Sequence, residues 1–114
     1  MPPALYVAYI TGVAGSNIIL FYISDTMIAG VDAGTGRYLG TGQRMPNGAL
    51  KGDIILKLPA GTPLITGMPP LTEAMDVPIS FELPPGFDNG EMTIPVTTPL
   101  GPVNARFEKF VEVK

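Results

Sequence analysis

Residues 18–23 read Ile-Ile-Leu-Phe-Tyr-Ile, six apolar residues in succession. No other feature constrains the fold as much. β-Branched and aromatic side chains favour a strand, and successive side chains of a strand point to opposite faces. In a strand over 17–24, Ile18, Leu20 and Tyr22 occupy one face and Ile19, Phe21 and Ile23 the other. Residues 4–11 behave alike, with Leu5, Val7 and Tyr9 opposed to Tyr6, Ala8 and Ile10. A strand apolar on both faces has to be covered on both, a task usually given to helices. Leaving Ile19, Phe21 and Ile23 in water would forgo roughly 1.5–3 kcal/mol per side chain.

Helices are scarce in this chain. Its 114 residues include 14 glycines and 13 prolines, and eleven of the prolines fall between 46 and 102. Apolar residues still make up 46%, which separates the chain from proline-rich disordered segments. Turn signals recur about every ten residues, bounding strand candidates at 4–11, 17–24, 26–31, 36–39, 53–58, 63–67, 77–83, 91–98 and 103–113. That rhythm predicts a sandwich or barrel. The one helical candidate is the single turn Leu71-Thr-Glu-Ala-Met-Asp76, pinched between prolines. The expected fold is all-β, an immunoglobulin-like antiparallel β-sandwich with at most one short helical turn, formed as a single domain over 1–114. The late strands alternate as half-buried strands do. Val77, Ile79, Phe81 and Leu83 oppose Ser80 and Glu82, and Val103, Ala105 and Phe107 oppose Asn104, Arg106 and Glu108.

Composition excludes several chemistries. There is no cysteine and no histidine, so disulfides, thiolate nucleophiles, imidazole bases and a Ser-His-Asp triad are absent. A net charge of −3 with 15% charged residues argues against nucleic acid as a partner. Residues 2–24 carry no charge. A signal peptide wants a basic start, which Met1-Pro2-Pro3 does not supply. Thr11, Gly12, Gly15, Ser16 and Asn17 interrupt the run that a transmembrane helix would need. No membrane span is expected.

The glycine-rich stretch Val31-Asp-Ala-Gly-Thr-Gly-Arg-Tyr-Leu-Gly-Thr-Gly42 invites a phosphate-loop reading. Its spacing, Gly34, Gly36, Gly40 and Gly42, matches neither dinucleotide nor P-loop patterns, and no helix can follow. It reads as two turns around a short edge strand. Asp88-Asn-Gly-Glu91 reads first as a turn, and Tyr6, Tyr9, Tyr22 and Tyr38 as core or interface residues rather than sugar-stacking platforms. No acidic pair has a recognised catalytic spacing. No catalytic residue, cofactor or metal is implied.

Residues 77–113 carry Leu83-Pro-Pro-Gly86, then Gly90, Gly101 and a closing Phe110-Val111. This stretch resembles the second half of an IPT/TIG immunoglobulin-like domain. The resemblance implies a sandwich without shared catalytic residues.

The expected role is therefore non-enzymatic. Tyr6, Ile10, Ile19, Phe21 and Ile23 form the candidate interface, through which the N-terminal strands pack against another copy of the chain or a neighbouring structural protein. A chain that starts at Met1 without a leader fits a virion component, such as a phage decoration or tail accessory protein. The alternative is an immunoglobulin-like module of a bacterial surface or secreted protein, with carbohydrate binding as a further option. The corresponding location is the virion or the cell surface.

Overall fold

A computed structural model describes residues 3–113. Eight strands are present: β1 (Ala4–Gly12), β2 (Gly15–Ile23), β3 (Ile28–Asp32), β4 (Arg37–Arg44), β5 (Leu50–Leu58), β6 (Met75–Leu83), β7 (Asn89–Thr98) and β8 (Gly101–Glu112). All their pairings are antiparallel. They form one sheet in the order β6-β5-β4-β3-β2-β1-β8-β7. Every ladder but one joins strands adjacent in sequence; the exception is β1–β8.

The all-β, antiparallel character expected from the sequence is present, and no helix occurs among the described residues. The layering differs from the expected sandwich. A single sheet curls into a half-barrel, bringing its edge strands β6 and β7 into local contact without a ladder between them. The sheet's own curl does what a second sheet would have done. The candidate strand at 63–67 belongs instead to a long β5–β6 connection over 59–74, whose prolines and glycines deny it a ladder, and the candidate helical turn at 71–76 is the end of that connection and the first two residues of β6. The short strand expected at 36–39 extends to Arg44 and lies inside the sheet, between β3 and β5.

The concave face is the core. Register places Tyr6 beside Phe21, Phe21 beside Gly30, Gly30 beside Tyr38, Tyr38 beside Leu56 and Leu56 beside Val77. A second inward row runs Ile23, Ile28, Gly40, Ile54, Ile79. One glycine interrupts each row, Gly30 between Phe21 and Tyr38 and Gly40 between Ile28 and Ile54, which lets the sheet bend around its contents. A Cβ on Gly30 would lie 2.6 Å from the Phe21 ring. A Cβ on Gly40 would strike the Asp53 carbonyl oxygen and lie 2.6 Å from Ile54 Cα. Pro78 and Pro95 lie in the edge strands, where a missing N–H is tolerated.

This crowding makes Gly40 a sensitive position. Gly40→Ala should lower the urea midpoint by an amount equivalent to about 1–3 kcal/mol, because backbone rather than a flexible side chain must yield. Thr41→Ala, exposed on the opposite face of the same strand, should stay within about 0.5 kcal/mol.

Candidate functional site

Two surfaces stand out: the interior of the half-barrel and the convex face of its N-terminal strands. The interior begins with the β3–β4 hairpin. Asp32, the last residue of β3, points inward. Its Oδ1 accepts the backbone N–H groups of Gly34 (2.9 Å) and Gly36 (2.8 Å), and its Oδ2 accepts the Tyr38 hydroxyl at 2.7 Å. Thr35 at the tip adopts a left-handed φ of 69°. One carboxylate thus closes the hairpin and satisfies the phenol of a buried tyrosine. Burial, then the hydrogen bond and charge of Asp32, pushes the Tyr38 phenol far above its ordinary range.

Aromatic rings continue the core from there. Phe21 meets Tyr38 edge-on with centroids 5.4 Å apart and stacks on Phe107 at 6.1 Å. Phe87, fully buried in the β6–β7 connection, meets Phe107 at 5.7 Å and Tyr6 at 6.0 Å. Arg44 lies over Phe87 at 5.1 Å and donates to the Gly48 carbonyl (3.0 Å) and the Tyr6 hydroxyl (3.4 Å). These groups form the floor of the half-barrel.

Above the floor lies a cavity of about 440 Å³. Its wall is mainly apolar, with Ile19, Phe21, Ile54, Leu56, Ile79 and Phe107 prominent, and Asn17, Asp32, Tyr38, Thr62 and Thr98 among its polar residues. Residues 62–66 of the β5–β6 connection roof it. The Ala14 N–H donates to the Ile65 carbonyl at 2.8 Å, tying the roof to the β1–β2 turn. Thr66 contributes to this lining, but its hydroxyl is packed away from both solvent and the cavity and has no hydrogen-bond partner among the described residues.

Of the residues singled out from sequence, Tyr6, Ile19, Phe21 and Ile23 are buried in the chain's own core. Ile10 is half-buried and lines the cavity beneath the roof. The surface that β2 leaves uncovered is the opposite one. Ile18 is 52% exposed, Leu20 42%, Val31 50%, Leu39 46% and Ile55 38%. Leu20 lies between Val7 and Val31, and Leu39 between Ala29 and Ile55, so the band is continuous across β1–β5. Charges border it: Ser80 donates to Asp53 at 2.6 Å, Lys57 pairs with Asp76 at 3.2 Å, and Arg106 covers the Tyr9 ring at 4.4 Å.

No three Asp or Glu side chains gather in a metal-binding arrangement among the described residues. In the Asp88–Glu91 turn, Asn89 Oδ1 accepts the Glu91 N–H at 2.8 Å. No described helix is long and apolar enough to cross a membrane. Comparison with protein-family models, with curated proteins and with solved structures gave no match. Sequence reasoning treated Asp32 only as part of a turn. Its signal was the Asp-x-Gly-x-Gly spacing after a strand, which suits a side chain capping two downstream N–H groups.

Two outcomes follow from the Asp32–Tyr38 pair. A raised phenol pKa in the folded state means its contribution is complete below about pH 10, the unfolded value, and is lost as pH climbs beyond it. Chemical denaturation across that range should show stability falling with pH, and Tyr38→Phe should flatten the slope. Asp32→Ala leaves a buried hydroxyl and two N–H groups without their acceptor, and should cost about 1–3 kcal/mol in the same assay.

Proposed function

We propose that this chain is a non-enzymatic assembly protein that packs through the convex face of its N-terminal strands against a second copy of itself. The carrying observation is the uncovered band of Ile18, Leu20, Val31, Leu39 and Ile55. Contiguous apolar surface of this kind marks association sites. It lies on β2–β5, inside the two edge strands, which favours face-to-face packing over edge-to-edge pairing. A low charge density with charges confined to the margin suits a long-lived contact. A particle component such as a virion decoration or tail accessory protein is the role that fits best.

The second reading, an immunoglobulin-like module of a bacterial surface protein, draws on the likeness of residues 77–113 to the IPT/TIG pattern. Its support is that Gly86, Gly90 and Gly101 all take positive φ (78°, 83° and 128°), at the turns that the pattern demands.

Sedimentation analysis over a range of concentrations separates these readings. The assembly reading expects a mass above that of the 12.0 kDa chain. Leu20→Asp and Val31→Asp should return it to the single chain with circular dichroism unchanged, whereas Phe21→Asp, which buries a charge in the core, should unfold it. A wild-type chain that stays single throughout would refute self-assembly.

A further inference from the structure

We propose that the concave interior is a binding site for an uncharged, hydrocarbon-rich small molecule. This goes beyond the assembly reading and does not rest on it, since the convex face takes no part. Four observations carry it. The first is size. The cavity of about 440 Å³ is roughly three times the ~150 Å³ apolar cavity that takes up benzene, and falls within the range of small-molecule sites. The second is the wall. Ile19, Phe21, Ile54, Leu56, Ile79 and Phe107 come from four strands and are all buried. An occupant would meet hydrocarbon on several sides rather than along one flat face, and moving apolar surface from water into such surroundings is favourable.

The third is that polar side chains of the lining are already engaged within the chain. Thr62 Oγ1 donates to the Pro59 carbonyl at 2.6 Å. Thr98 Oγ1 donates to the Gly101 carbonyl at 2.7 Å and accepts the Leu100 N–H at 3.1 Å. Asn17 Oδ1 accepts the Ile18 N–H at 2.9 Å, and the Tyr38 hydroxyl is held by Asp32. A hydrocarbon occupant disturbs none of these bonds, whereas a polar one would give up water and find few partners in exchange. The fourth is charge. Among the described residues the lining holds no Lys or Arg, so an anion would be desolvated with no cation to meet it. Asp32, its one charged residue, already has the donors of Gly34, Gly36 and Tyr38 on its oxygens, and a cation would have to compete with them. This selects an uncharged occupant over either ion. Entry is available at the seam between β6 and β7. Both strands contribute to the wall and no ladder joins them, so they can part without breaking one.

Fluorescence titration of the full chain with N-phenyl-1-naphthylamine and with 8-anilinonaphthalene-1-sulfonate tests this. The two probes share one ring skeleton, and only the second is charged. Saturable uptake of one uncharged probe per chain is expected, with the sulfonate roughly tenfold weaker or worse. Naphthalene should displace the bound probe, and 1-naphthylmethylammonium should do so roughly tenfold less well or worse. Val96→Phe adds bulk at a half-buried wall position on β7 and should weaken uptake about tenfold. Leu20→Asp, on the convex face, should leave uptake unchanged. The proposal is overturned by absence of saturable uptake of the uncharged probe, or by either charged compound binding as well as its uncharged counterpart. Unchanged uptake in a folded Val96→Phe, or loss of uptake in a Leu20→Asp chain with unaltered circular dichroism, would overturn it too. Should Val96→Phe fail to fold, the charge comparison on the wild-type chain and the Leu20→Asp control still decide the matter.

Discussion

The fold rests on glycine gaps in the rows of large side chains that cross the concave face. Phe21 fits only because Gly30 next to it has no side chain. Gly52 yields to the Phe81 ring and Gly42 to Ile28 in the same way. A sheet bearing large residues at all these positions would have to flatten to separate them. With hydrogen atoms in place of side chains on β3, β4 and β5, the inner surface shortens and the sheet bends. The glycines of residues 30–42, which first suggest a ligand loop, act mostly as inward gaps in two adjacent strands.

The curl resolves the problem set by Ile18–Ile23, though only on one side. Ile19, Phe21 and Ile23 join one core with residues of β5, β6, β7 and β8 that the curl brings over them. Ile18, Leu20 and Tyr22 face outward, where no other element among the described residues lies over them. Hydrophobic burial has no direction, so it cannot choose between an internal and an external cover. Geometry chooses here: the concave face is enclosed, and the convex face is not.

Strand identity was largely legible because period-two alternation is a local property. Val77–Leu83 and Val103–Phe107 show it plainly, and the structure has strands there. The arrangement of strands was less legible. Whether eight strands make two sheets or one depends on which distant strands share a ladder, and nothing near Tyr6 announces its neighbour across β8. Residues 63–67 carried the apolar content of a strand, but Leu64 packs against the core from an irregular roof. Local composition records that a side chain is buried and leaves open how the backbone around it is bonded. The interior cavity was hidden for the same reason, since β2, β4, β5, β8 and residues 62–66 line one space only through the curl.

The β1–β8 ladder deserves a kinetic reading. Hairpins between sequential strands close short loops and form at little entropic cost. The pairing of Ala4 with Glu112, and the bond from the Val113 N–H to the Pro3 carbonyl at 2.8 Å, must bring together opposite ends of the described chain. Across the other seam, between β6 and β7, no ladder exists to share the work. The molecule is therefore a six-stranded meander and a two-stranded hairpin sewn along one line. That line is the step on which folding cooperativity hangs, because undoing it would release the two pieces as separate, incomplete sheets.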